Sequence, residues 1–85
     1  MGRSIEITVT GLVYGSPCKL LRIIVKPGGV TGSFTVRDGG DSGRIVASDG
    51  YVPASGQSYF LEVDHDCAAN LHATISNCTI YCVIR

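Results

Sequence analysis

Tryptophan is absent, methionine occurs once, and charged residues make up only 16% of the chain. Soluble domains carry about 25%. A small chain this poor in charge either hides surface against copies of itself or a partner, or is a β domain rich in Val, Ile and Thr. Basic surplus is also missing, because seven Lys and Arg balance seven Asp and Glu. Nucleic-acid binders draw affinity from cations that displace counterions from phosphates, so nucleic acid is not an expected partner. No apolar run approaches the roughly 18 residues of a membrane span, and a membrane is not an expected partner either. Met1-Gly2-Arg3-Ser4 enters an alternating segment with no apolar leader core. The expectation is a protein made in the cytoplasm, without a secretion signal. Helical apolar spacing is nearly absent too, which leaves strands as the building unit.

Eighty-five residues make one domain, expected to span residues 1–85. A chain of this size buries only about 60–65% of its unfolded surface, so association would add needed stability. The charges are unevenly placed. Arg3, Lys19, Arg22, Lys26 and Arg37 outnumber Glu6 in the first part, whereas Asp38, Asp41, Asp49, Glu62, Asp64 and Asp66 outnumber Arg44 and Arg85 in the rest. The favoured reading is cross-strand ion pairing within one domain. The alternative is a ring of protomers that meet through opposite charges.

Four cysteines are present: Cys18, Cys67, Cys78 and Cys82. Without secretion, free thiols that pack as small hydrophobes are the expectation. Cys78 and Cys82 would lie about 13 Å apart on one strand face, beyond disulfide reach. Cys67 pairing with Cys18 or Cys78 stays open. No C-x-x-C pair is present, so the usual zinc spacing is missing.

Strand signals recur about every ten residues, which predicts seven or eight strands in an all-β, antiparallel sandwich or jelly-roll-like barrel. Ile5, Ile7 and Val9 alternate with polar residues as far as Gly11, and Leu12 to Tyr14 are expected to extend that strand past a bulge. From Cys18 to Lys26, alternation puts Leu21, Ile23 and Val25 on one face and Leu20, Arg22 and Ile24 on the other. Ser33 to Arg37, with Phe34 and Val36 inward, is expected to form a hairpin with Arg44 to Ser48. Asp49-Gly50 reads as a turn, and Pro53 to Gly56 as loop. Tyr59, Leu61 and Val63 share a face. His65 to Asn70 reads as a connection, followed by a strand through Leu71, Ala73 and Ile75. The last strand turns Cys78, Ile80, Cys82 and Ile84 one way.

Few constellations carry chemistry. Gly40-Asp41-Ser42-Gly43 copies the nucleophile segment of trypsin-like proteases, but such enzymes need two barrels, an oriented base and an oxyanion hole. Turn chemistry explains the segment better. His65, Asp66, Cys67 and His72 contain ligand types in a spacing that matches no zinc module, so they read as a polar connection. Asp38, Asp41 and Asp49 lack the EF-hand pattern and read as hairpin-turn aspartates. Asn77-Cys78-Thr79 is a glycosylation sequon ahead of a strand, read as accidental. No catalytic residue, metal or cofactor is expected, and the chain reads as a non-enzyme. A metal-dependent enzyme at His65, Cys67 and His72 is the remote alternative.

Residues 20–48 run Leu-Leu-Arg-Ile-Ile-Val-Lys-Pro-Gly-Gly-Val-Thr-Gly-Ser-Phe-Thr-Val-Arg-Asp-Gly-Gly-Asp-Ser-Gly-Arg-Ile-Val-Ala-Ser, and residues 78–85 form an alternating strand that ends in Arg. This pattern resembles small tailed-bacteriophage virion proteins of the capsid decoration, or cement, type. The resemblance implies a small β-sandwich on a virus particle, a homo-oligomer (often a trimer) bound to the major capsid protein. No functional residue carries over, because such proteins act by surface complementarity. The cysteines depart from that pattern. The two-sided apolarity of the second strand and the Gly-rich loops place the expected contacts at Leu20, Arg22, Ile24, Asp41 and Ser42. The alternative is a glycan- or receptor-binding module of a phage tail or adhesin, with Tyr51 or Tyr81 as a stacking platform.

Overall fold

The computed structural model describes residues 3–85. Eight strands form: β1 (Arg3–Ile7), β2 (Gly11–Tyr14), β3 (Cys18–Pro27), β4 (Gly32–Asp38), β5 (Arg44–Val52), β6 (Tyr59–Cys67), β7 (Leu71–Ser76) and β8 (Cys78–Ile84). They build two antiparallel four-stranded sheets, ordered β1-β8-β3-β6 (sheet A) and β2-β7-β4-β5 (sheet B). The all-β expectation therefore stands, with no helix among the described residues.

The pairing has a simple rule. β1 lies beside β8, β2 beside β7, β3 beside β6 and β4 beside β5. The chain is thus one long hairpin, closed at the β4–β5 turn and rolled up so that successive strand pairs fall in alternate sheets. That is jelly-roll connectivity. The rule also accounts for the uneven charge. Each strand of the basic first half lies beside a strand of the acidic second half, and Lys19–Asp64 and Arg22–Glu62 pair across β3 and β6, each at 3.2 Å.

Alternation supplies the core. Phe34 and Val36 from β4, Leu71 and Ala73 from β7, and Cys78, Ile80, Cys82 and Ile84 from β8 are buried between the sheets, joined by Leu20, Ile23 and Val25 from β3. The expected inward faces of β4, β7 and β8 are met. The shortest dimension of the molecule is 16 Å, as for two sheets packed about 10 Å apart.

Four local expectations are corrected. First, β1 and β2 are separate strands in different sheets, because the chain crosses over at Thr8 to Thr10 instead of bulging at Gly11. Second, Leu20, Arg22 and Ile24 do not share a face. Leu20 pairs with Ile84, while Arg22 pairs with the next residue back, Val83, so Leu21 is an extra residue in β3. This bulge resets the alternation. On the neighbouring strand Asp64 adopts a left-handed φ of 53° at the same level. Third, Asp49-Gly50 is not a turn. Gly32 pairs with Val52 and Phe34 with Asp49, so Gly50 and Tyr51 stand opposite Ser33 alone. The Asp49 carboxylate accepts the Tyr51 N–H at 3.1 Å, and the Asp-Gly pair is absorbed as a bulge within β5. Fourth, His65 to Cys67 end β6, and only Ala68 to Asn70 connect.

Candidate functional site

Of the five expected contact residues, Leu20 is fully buried and is withdrawn from any contact surface, because the bulge at Leu21 turns it into the core. Arg22 is exposed and Ile24 half-buried on the outer face of sheet A. Asp41 and Ser42 are exposed in the β4–β5 turn, which lies at the same end of the sandwich as the β6–β7 connection: the Gly39 N–H donates to the Asn70 carbonyl at 3.3 Å.

The two outer faces differ in chemistry. On sheet B, Thr74, Thr35 and Ser48 form one cross-strand row, with Ser76 and Ser33 beside it. On sheet A, the row is Glu6, Tyr81, Ile24 and Phe60 across all four strands, and the next row is Ser4, Val83, Arg22 and Glu62. Phe60 is 57% exposed. The Arg22 guanidinium stands 5.6 Å from the Phe60 ring centre and pairs with Glu62, while the Tyr81 hydroxyl donates to Glu6 at 2.8 Å. That bond and the Glu6 charge raise the Tyr81 phenol above its ordinary range. Ile24, Phe60, Tyr81 and Val83 thus form an apolar centre whose charged neighbours are already paired. Such a surface gives up little hydration when covered.

A second grouping sits at the end of the sandwich that carries the β4–β5 turn. Cys18 and Cys67 are direct cross-strand partners in β3 and β6, so their side chains leave the sheet on the same side. Burial pushes the Cys67 thiol up to about 12, helped by Cys18 and Asp38. Burial raises Cys18 as well. His65, two residues before Cys67, projects from the same face of β6. Asp38, at the end of β4, completes a cluster in which donor atoms of Asp38, His65 and Cys67 all lie within 4.8 Å of one another. The Asp38 carboxylate accepts backbone N–H groups from Ala68 at 2.9 Å, Ala69 at 3.0 Å and Asn70 at 3.4 Å. These bonds, that of Ala68 foremost, hold its carboxyl below the usual range. Asp38 therefore caps the β6–β7 connection and not its own hairpin.

The structure separates the other sequence candidates. His72 lies on the outer face of β7, level with Leu12 and Arg37, and does not join His65 and Cys67. Asp66 projects outward opposite Lys19. Asp49 is engaged by Tyr59 at the far end of β6, so Asp38, Asp41 and Asp49 form no carboxylate cluster. The Gly40–Gly43 segment is a turn closed by Gly43 N–H to the Gly40 carbonyl at 3.1 Å, with Arg37 donating to the Gly43 carbonyl at 2.9 Å. Asn77 is the one-residue corner between β7 and β8, with φ 56°, and its side-chain amide donates to the Thr31 carbonyl at 3.2 Å. Sequence reasoning left a Cys67–Cys18 pairing open but missed Asp38 as a partner of His65 and Cys67. Only the β3–β6 register and the β4 terminus bring them together, and no local spacing signals that.

The fold and its surfaces define a small eight-stranded jelly roll with an apolar cluster on the outer face of sheet A, while Leu12, Ile45 and Tyr51 are exposed on strands of sheet B. No known family, curated protein or solved structure matches the chain.

Proposed function

We propose that this chain is a non-enzymatic structural protein of a virus particle, a capsid decoration or cement protein that works by self-association and contact with the major capsid protein. The observation that carries the reading is the outer face of sheet A, where Ile24, Phe60, Tyr81 and Val83 form an apolar centre bordered by paired charges. Two further features support it. Residues 20–48 and 78–85 resemble small phage virion proteins. Jelly rolls are used repeatedly in viral shells, an argument from fold-level analogy. Jelly rolls also serve as lectins. The glycan reading named Tyr51 or Tyr81 as a platform: Tyr51 is exposed on β5 of sheet B, and Tyr81 lies half-buried on β8 of sheet A with its hydroxyl bonded to Glu6.

The test is sedimentation at micromolar concentration together with binding to undecorated capsid shells of the phage that encodes the chain. The wild type should associate and bind shells. Phe60→Ser and Ile24→Ser should abolish one or both while leaving the β-sheet circular dichroism intact. A monodisperse monomer that ignores the shells would sink the proposal.

A further inference from the structure

The cluster at the β4–β5 end is not explained by core packing. β6 alternates Leu61, Val63, His65 and Cys67 on its inner face, so a histidine occupies a position where its neighbours are apolar. The ring is half-buried, and neither of its nitrogens is a buried atom without a partner. Among the described residues its ring makes no hydrogen bond, while Asp38 and Cys67 present donor atoms within 4.8 Å. A disulfide between Cys18 and Cys67 would use two of the four groups and would not involve His65, while Asp38 would still cap the β6–β7 connection.

We infer that Cys18, Asp38, His65 and Cys67 form a structural zinc site that staples β3, β4 and β6 together at one end of the sandwich. The donor set of two thiolates, one imidazole and one carboxylate suits a borderline-soft, tetrahedral cation. In such a site donor atoms stand about 3.3–3.8 Å apart, given metal–ligand distances of about 2.0–2.3 Å. Asp38, His65 and Cys67 would have to close from within 4.8 Å to that range, and Cys18, paired with Cys67 across β3 and β6, would have to bring its thiol in beside them. A carboxylate offers about four lone-pair sites. Asp38 uses three of them on backbone N–H groups, two at Oδ1 and one at Oδ2, which leaves one at Oδ2 for the ion. Those bonds also orient the carboxylate, as outer-shell partners do in metal sites. Binding releases the two thiol protons to solvent as the thiolates bond the ion. Four protein ligands leave no open position, so the site holds strands together and performs no hydrolysis. The inference is independent of the particle role proposed above.

The experiment uses the reduced full chain, stripped of metal by a chelator and titrated with Zn²⁺ and then with Co²⁺. One ion should bind per chain, with a dissociation constant tighter than about 1 µM. Co²⁺ should give a thiolate-to-metal charge-transfer band. Zinc should raise the melting temperature. Cys18→Ala and His65→Ala should each weaken binding by more than the roughly 10–100-fold typical of losing an outer-shell partner. Cys82→Ala, with circular dichroism as a check on folding, should keep it. Absence of binding to the reduced wild type, a cobalt spectrum without the thiolate band, or affinity unchanged in Cys18→Ala and His65→Ala would each overturn the assignment.

Discussion

The Tyr59 hydroxyl donates a 2.6 Å hydrogen bond to Asp49 Oδ2, which ties the first residue of β6 in sheet A to the bulge in β5 of sheet B. Asp49 holds the bulge with its other oxygen, through the Tyr51 N–H. Burial, then this bond, pushes the Tyr59 phenol up to about 12. A folded-state value above the unfolded value of 10.0 means the contribution is complete below pH 10 and is lost as pH rises toward 12. Tyr59→Phe should cost about 1 kcal/mol near neutral pH. Spectrophotometric titration should show one fewer late-titrating tyrosine. An unchanged titration curve would refute the assignment.

Asp38 has the opposite sign. Its carboxyl is held below the ordinary 3.8 by backbone bonds, so its contribution is present above that value and is lost as pH falls through the depressed one. The stability difference between wild type and Asp38→Asn should therefore be largest near neutrality and shrink below about pH 4. Hydrogen exchange should show the amides of Ala68 and Ala69 less protected in the variant. Urea melts at a series of pH values read the first effect directly.

Leu20 and Ile24 test the bulge at Leu21. Leu20 is fully buried, so Leu20→Ala should destabilise by about 2–5 kcal/mol through a core cavity. Ile24 lies on the outer face, and Ile24→Ala should cost the monomer about 1 kcal/mol or less. An uninterrupted alternation through β3 would give the two variants equal costs. Denaturant midpoints at constant slope distinguish the cases.

Gly32 and Gly11 make a contrasting pair. A Cβ at Gly32 would collide with the Ser76 carbonyl oxygen, which is backbone and cannot step aside, whereas a Cβ at Gly11 meets nothing within 4 Å. Gly32→Ala should destabilise by about 2 kcal/mol or more, and Gly11→Ala should lie within about 0.5 kcal/mol of wild type. Thermal melts of both variants decide it.

Much of the strand content was legible because two-residue alternation marks a half-buried strand directly. β8 shows this best: Cys78, Ile80, Cys82 and Ile84 alternate with Thr79, Tyr81 and Val83, and every inward assignment holds. β3 was harder. Leu20 to Val25 is apolar on both sides of Arg22, so no polar residue marks where the phase shifts, and one inserted residue turned Leu20 inward. Asp49-Gly50 has turn composition, yet a bulge satisfies the same preferences while the strand continues to Val52. The zinc-type cluster was hidden for another reason. His65 and Cys67 are neighbours, but Cys18 and Asp38 reach them from two other strands.

By itself the sequence determined the class. Few charges, many short alternating runs and Gly-rich turns leave a β-sandwich as the way to bury the inward faces, and nothing in the pattern supports a helix. Only the tertiary structure decided which sheet each strand joins, which face of sheet A stays apolar and exposed, and which distant side chains meet at its end. Alternation specifies in or out for each residue, but pairing and register are set by contacts between segments far apart in the chain.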